Sequence, residues 1–188
     1  MNKTELGERF AKGYEPELEE VIDAFGAKLL RYATSILCDY QDAEDIVQNV
    51  FITAYQKRGS FDGENLSAWL YKITYNNCIN HLKKGKLLFF SDFKNIREEI
   101  VNPYEETGFD EGFLKALKKL GAEDRALLYG RIMDDLSYEE LSGLLGKSAP
   151  ALRKQYERAK KKLAGYLSAE KNFFERSQYN EYKFEQVR

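Results

Sequence analysis

From Leu136 to Leu163 the chain reads LSYEELSGLLGKSAPALRKQYERAKKKL. Two amphipathic helices meeting at a glycine turn account for each part of it. Ser137 can cap the first helix, with Glu140 three positions later closing a capping box. Leu141, Leu144 and Leu145 recur at helical spacing, and Ser142 is small where a crossing helix must approach. Gly146 follows the last apolar residue and can take the left-handed conformation that ends a helix. Ser148 can cap the second helix. Pro150 fits its first turn, where an N–H has no intrahelical partner to lose. Leu152, Tyr156, Ala159 and Leu163 form the buried stripe, which leaves Ala151, Arg153, Lys154, Gln155 and Arg158 facing outward. The pattern is that of a helix-turn-helix.

The charge on the second helix gives that pattern a direction. Between Lys147 and Lys162 the basic residues are Lys147, Arg153, Lys154, Arg158, Lys160, Lys161 and Lys162, against one acid, Glu157. The formal net charge of the whole chain is only −2. The positive charge is therefore concentrated on one element, as in a nucleic-acid reader. In a helix-turn-helix the N-terminal part of the second helix enters the major groove. The competing reading is an ordinary helical hairpin with a solvated basic face.

Length and composition set the frame. The 188 residues suffice for one medium domain or two small ones. A hydrophobic content of 43% with 32% charged residues fits a folded globular protein rather than a disordered one. No stretch approaches the roughly 20 apolar residues of a membrane span. Met1 to Glu20 holds no apolar signal core, so a cytoplasmic location is expected. Cys38 and Cys78 form no CxxC pair and fall on apolar helical faces, so they read as buried free thiols. With His81 as the single histidine, no four-ligand zinc site can form without carboxylates. Neither a metal nor a cofactor is expected.

The fold class expected is all-α, in two small helical domains. Helical periodicity runs from about Glu17 to about Leu88, with loops near Cys38–Asp42 and Gly59–Leu66. Ile22, Phe25, Leu29, Leu30, Ala33, Ile36 and Leu37 make one apolar stripe. Ile46, Val47, Val50, Phe51 and Tyr55 make a second; Trp69, Leu70, Ile73, Cys78, Ile79 and Leu82 make a third. No alternating strand pattern of convincing length appears. The first domain is placed at 1–90. Residues 91–111 read as an acidic linker, because Arg97 stands against Glu98, Glu99, Glu105, Glu106, Asp110 and Glu111 while periodicity fades. The helix-turn-helix domain occupies 112–167. An aromatic tail, 168–188, carries Phe173, Phe174, Tyr179, Tyr182 and Phe184 and has no assigned role.

The first domain carries two further motifs. DYQDAEDIVQNVFITAY, from Asp39 to Tyr55, is acidic at its start and apolar behind. Asp42 can cap the helix, and Glu44 and Asp45 lie in its first turn, where the helix dipole favours acids. Gln48 and Asn49 extend an exposed acid-and-amide face suited to docking a basic or polar partner. FDGENLSAWLYKITYNN, from Phe61 to Asn77, runs from a polar loop into a helix. That helix carries Lys72, Asn76, Asn77, Asn80, Lys83 and Lys84 beside Trp69, Tyr71 and Tyr75. Cations for phosphates, amides for base edges and rings for stacking are what single-stranded nucleic acid requires.

DAEDIVQNVF (Asp42–Phe51), AWLYKITYN (Ala68–Asn76) and SYEEL (Ser137–Leu141), in this order and spacing, resemble bacterial RNA polymerase sigma factors of the sigma-70 family, extracytoplasmic-function type. The resemblance spans about Leu18 to Leu167. It implies a region 2 helical bundle, a region 4 helix-turn-helix, and no enzymatic activity. It also implies that Asp42, Glu44, Asp45, Gln48, Asn49 and Phe51 meet the coiled-coil of the largest subunit of core RNA polymerase. Asp62, Asn65, Trp69, Lys72, Asn76, Asn77, Asn80, Lys83 and Lys84 would recognise and help melt the minus-ten element of promoter DNA. Lys147, Ser148, Ala151, Arg153, Lys154, Gln155 and Arg158 would read the minus-thirty-five element, near the polymerase flap. The linker would thread toward the RNA exit path. An anti-sigma factor is an expected partner, and no membrane insertion is implied. Trp69 has two readings, a core residue or a wedge at the melted junction. The chain departs from the family pattern at Gln155, where arginine is common, at Pro150 and Ala151, which offer bases few polar groups, and in its longer tail.

Two rivals belong to other classes. A helix-turn-helix regulator acting without polymerase would need neither the Asp42–Phe51 surface nor the asparagine-rich helix. An enzyme would need a nucleophile–base pair, a metal cluster or a phosphate-binding glycine loop, and none is present in the sequence.

Overall fold

The computed structural model describes residues 3–12, 15–88, 109 and 111–185, with side chains over 5–12, 18–85, 109 and 112–169. Among the described residues the fold is all-α, as expected, with no strand. The helices are α1 (Lys3–Lys12), α2 (Glu15–Leu37), α3 (Tyr40–Lys57), α4 (Leu66–Leu88), α5 (Glu111–Lys118), α6 (Ala122–Ile132), α7 (Tyr138–Leu145) and α8 (Ala149–Glu185). A short 3-10 turn, Arg58–Ser60, follows α3.

The first half is built on α2, which packs against α1, α3 and α4. Val21, Phe25, Leu29, Tyr32, Ala33 and Ile36 repeat at helical spacing and are all buried. Ile22, assigned to the same stripe from sequence, is 40% exposed because it falls beside that row rather than in it. Thr34, Ser35 and Thr74 are buried polar residues whose hydroxyls donate to carbonyls of their own helices, at Leu30, Tyr32 and Leu70. Helix α1 was not expected. Its signal was Leu6 and Phe10, one turn apart and both buried, with Phe10 set edge-on to Trp69.

Tight connections set the angles between helices. Cys38, with φ 53, reverses the chain after α2, so its thiol lies beyond the helix rather than on its face. It is nonetheless buried, against Ala116, Leu117 and Leu128 of the second half. The residue that caps α3 is Asp39, not Asp42: its Oδ1 accepts from the Asp42 N–H at 2.9 Å. Asp42 stands in the first turn instead.

The second half is the trihelical unit of α6, α7 and α8, supported by α5. Its centre is Leu127, Leu128, Leu141, Leu144, Leu152 and Ala159, all buried. The two halves touch through a seam of aromatic rings. Tyr32 of α2 packs on Tyr71 of α4 at 4.9 Å and on Tyr129 of α6 at 5.8 Å. The Asp134 carboxylate and the Arg31 guanidinium lie beside the Tyr71 and Tyr129 hydroxyls of this seam. The stretch read as a linker lies outside the described residues except at its end. There Phe109 is buried against Phe113 and Tyr129. The tail expected from residue 168 onward begins as a direct continuation of α8, whose helix runs to Glu185. No helix among the described residues is long and apolar enough to cross a membrane.

Candidate nucleic-acid interface

Helix α3 presents the first surface. It buries Tyr40, Ala43, Val47, Val50, Phe51 and Ala54. Glu44, Asp45, Gln48 and Asn49 are exposed on the other side, as their spacing predicts. Phe51 is a correction: at 7% exposure it belongs to the core and cannot meet a partner directly. Sequence reasoning missed Ile52, which is 55% exposed. It follows Asp45, Gln48 and Asn49 on one face at intervals of three and four, so the signal was an apolar residue interrupting a polar stripe.

The loop before α4 presents the second surface. Gly63, at φ 86, and an Asx turn in which Asp62 Oδ1 accepts from the Glu64 N–H at 3.1 Å bend the chain into a shallow cup. The cup has a volume of about 280 Å³ and is lined by Asp62, Glu64, Asn65 and Trp69 among others. Asn65 has a structural task as well, since its Oδ1 caps α4 by accepting from the Ala68 N–H at 2.9 Å. Trp69 is half-buried, with its ring stacked 5.0 Å from Phe61, so it forms the wall of the cup as well as part of the packing.

Further along α4, Asn77, Asn80, Lys83 and Lys84 line a second cleft of about 500 Å³. Asn49 and Thr53 of α3 form its opposite wall, so residues assigned to separate partners share one groove. Asn76 is exposed but does not line it. His81 Nε2 and Asp42 Oδ2, 3.0 Å apart, tie the two helices together at this groove. Two expected members of the α4 surface are engaged elsewhere. Tyr71 is 3% exposed in the aromatic seam, so its ring is not available to stack on a base. Lys72 Nζ donates to the carbonyl oxygens of Gly143, at 3.0 Å, and Leu144. A cation there meets the negative end of α7, which accounts for its position.

The third surface is the helix-turn-helix. Its first helix, α7, opens with the expected capping box: Glu140 N–H donates to Ser137 Oγ at 3.1 Å, and Ser137 N–H donates to Glu140 Oε2 at 2.7 Å. It ends at Gly146 with φ 70. Ser142 Oγ donates across the turn to the Lys147 carbonyl at 2.6 Å. Ser148, Ala151, Arg153, Lys154 and Arg158 are exposed on the entry to α8 and its outer face. Lys147 is exposed as well, but it and Gln155 are engaged within the protein. Gln155 Nε2 donates to Asp124 Oδ1 at 2.7 Å, and its Oε1 accepts from Lys147 Nζ at 3.1 Å. Lys147 is also paired with Glu123. Acids in the first turn of α6, placed there by the helix dipole, thus hold both residues against the protein.

A basic helix held against two others, with a polar cup and an asparagine groove on the first half, has known counterparts. Sigma-70 region 2 matches residues 21–87, and Sigma-70 region 4 matches residues 110–163. The chain belongs to the sigma-70 family, in its extracytoplasmic-function group. Among its relatives, the ECF RNA polymerase sigma factor SigE of Mycolicibacterium smegmatis is 25% identical over 160 residues, covering 81% of this chain and 62% of that protein. SigW of Bacillus subtilis is 25% identical over 171 residues, covering 83% of this chain and 91% of that one. The chain therefore spans under two thirds of the first relative and nearly all of the second. The sigma factor RpoE from Bartonella quintana, solved in complex with the anti-sigma factor NepR, matches with a TM-score of 0.68 at 27% identity. The match covers 80% of this chain and 96% of that chain. CnrH, solved with the cytosolic domain of CnrY, shares the fold with a TM-score of 0.67.

Proposed function

We propose that this sigma-70 protein binds core RNA polymerase and directs promoter-specific initiation of transcription, without chemistry of its own. The observation that carries the proposal is the presence, on one chain, of two surfaces of opposite character. The face of Glu44, Asp45, Gln48, Asn49 and Ile52 suits a protein partner. The face of Arg153, Lys154 and Arg158 suits duplex DNA. A regulator that bound DNA alone would use only the second. The polymerase coiled-coil is the partner assigned to the first face, and the minus-thirty-five element is assigned to the second.

The cup at Asp62–Trp69 and the groove of Asn77, Asn80, Lys83 and Lys84 are assigned to the melted minus-ten strand. A flipped base is held by its edges and by stacking, and the adjoining phosphates by lysines. Lys72 reaches DNA only after leaving the α7 carbonyls, so the contact between α4 and α7 opens when the promoter is engaged. An anti-sigma partner is inferred by analogy with RpoE of Bartonella quintana. The site of action is the cytoplasm, where polymerase and promoter are.

The test joins Asp45→Lys with Gln48→Ala, and separately makes Ile52→Glu. Both proteins should fold, as circular dichroism would show, and should lose most of their retention by core polymerase. Undiminished retention of both folded variants would remove the docking face from the argument.

A further inference from the structure

Of the outward-facing cations on α8, Arg153 has an aromatic support. Its guanidinium carbon lies 5.2 Å from the ring centroid of Tyr138, within cation–π range. Tyr138 is the first residue of α7, directly after the Ser137 cap, so the capping box fixes its backbone. Its ring is half-buried and set edge-on to Tyr156 at 6.3 Å and 82°. A second guanidinium, that of Arg131, lies 5.3 Å from the same ring. Arg131 is itself anchored, because its Nη1 donates to the Leu136 carbonyl at 2.8 Å. The ring is thus held from three sides by its cap, by Tyr156 and by Arg131. Arg153 is the exposed member of the group.

We propose that Tyr138 is a positioning residue, which holds Arg153 in the geometry in which it meets the upstream promoter element. The proposal rests on the reading of α8 as the duplex-reading helix. An exposed arginine loses rotamer freedom when it is fixed on DNA. Attraction to a ring within cation–π range removes part of that freedom beforehand, and preorganisation of this kind strengthens binding. The guanidinium lies over the ring at 5.2 Å, and its N–H groups can donate to a guanine or a phosphate. Lysine at 153 would keep the charge but lose the planar fork of donors.

The experiment uses the full chain with core polymerase and measures binding to a promoter and to a library with single changes in its upstream element. Tyr138→Leu, which keeps apolar bulk without a ring, should weaken binding by roughly threefold to tenfold. It should also relax preference at the same base pair as Arg153→Ala does. Tyr138→Phe should behave like the parent. In an Arg153→Ala background, Tyr138→Leu should have no further effect. Thermal melting checks that each variant is folded, and Tyr138→Met replaces the leucine variant if that one melts below the assay temperature. An equal fold loss in both backgrounds would overturn the proposal, as would a phenylalanine variant as weak as leucine. An Arg153→Ala protein that binds every promoter normally would overturn the proposal together with the reading of α8.

Discussion

Asn65 shows how one side chain can serve packing and recognition together. Its Oδ1 caps α4, and its residue also lines the cup assigned to a flipped base. Asn65→Ala should therefore lose about 1 kcal/mol of stability along with any recognition. Asn65→Asp keeps the capping oxygen but replaces the amide donor with negative charge. It should melt like the parent and yet open promoters poorly, seen as weaker permanganate reactivity near the start site. Normal opening by Asn65→Asp would take the residue out of the base pocket. The thiols behave differently. Burial pushes the Cys78 thiol up to about 12 from its usual 9.0, and burial raises Cys38 as well. Because the folded value is the higher one, this contribution to stability is intact below about pH 9 and is lost as the pH rises toward 12. Neither thiol should react with a disulfide reagent at pH 8 in the folded protein, and both should react in denaturant. Fast labelling of the native chain would contradict the burial.

At the scale of elements, termini are specified more sharply than faces. The α7 capping box and Gly146 were legible because cap and C-terminal residues act through local backbone geometry. Ser137→Ala should lower stability by about 1 kcal/mol. Gly146→Ala should lower it by about 1–2 kcal/mol, through conformation alone, since an added Cβ would meet nothing within 4 Å. Chemical denaturation reads both, and a neutral Gly146→Ala would mean that the turn relaxes out of φ 70. Faces were less secure. Phe51 sits in the same motif as the docking residues, yet it belongs to the apolar stripe of α3 that packs on α2 and α4, so periodicity and the family resemblance pointed in different directions. Gln155 sits on the outer side of α8 by periodicity. It is bound instead by Asp124, thirty-one residues away, which no helical pattern could reveal.

Across the whole molecule, the aromatic seam joins the halves. Tyr129 is 5% exposed, packs against Tyr32 and Phe109, and has its hydroxyl pushed up to about 12 by burial. Tyr129→Ala should destabilise the chain by roughly 3–5 kcal/mol. It should speed hydrogen exchange in α2 as well as in α6, because the ring packs on Tyr32 across the seam. Faster exchange confined to α6 would show that the halves are stable independently. The Lys72 contact to Gly143 and Leu144 belongs to the same arrangement, and it makes the α4 surface and the helix-turn-helix depend on one another.

The sequence by itself determined the all-α class, the helix-turn-helix with both caps of α7, the exposed acid-and-amide face of α3 and the concentration of positive charge on α8. These depend on periodicity, capping and charge, which act over a few residues. The tertiary structure alone decided that α1 is part of the core, that Tyr71 and Lys72 are taken up between the halves, and that Lys147 and Gln155 are held by α6. It also decided that Arg153 rests on Tyr138. Each of these joins residues far apart in the chain. The free energy that settles them comes from burial and from pairing across helices, and it exists only once the helices have packed.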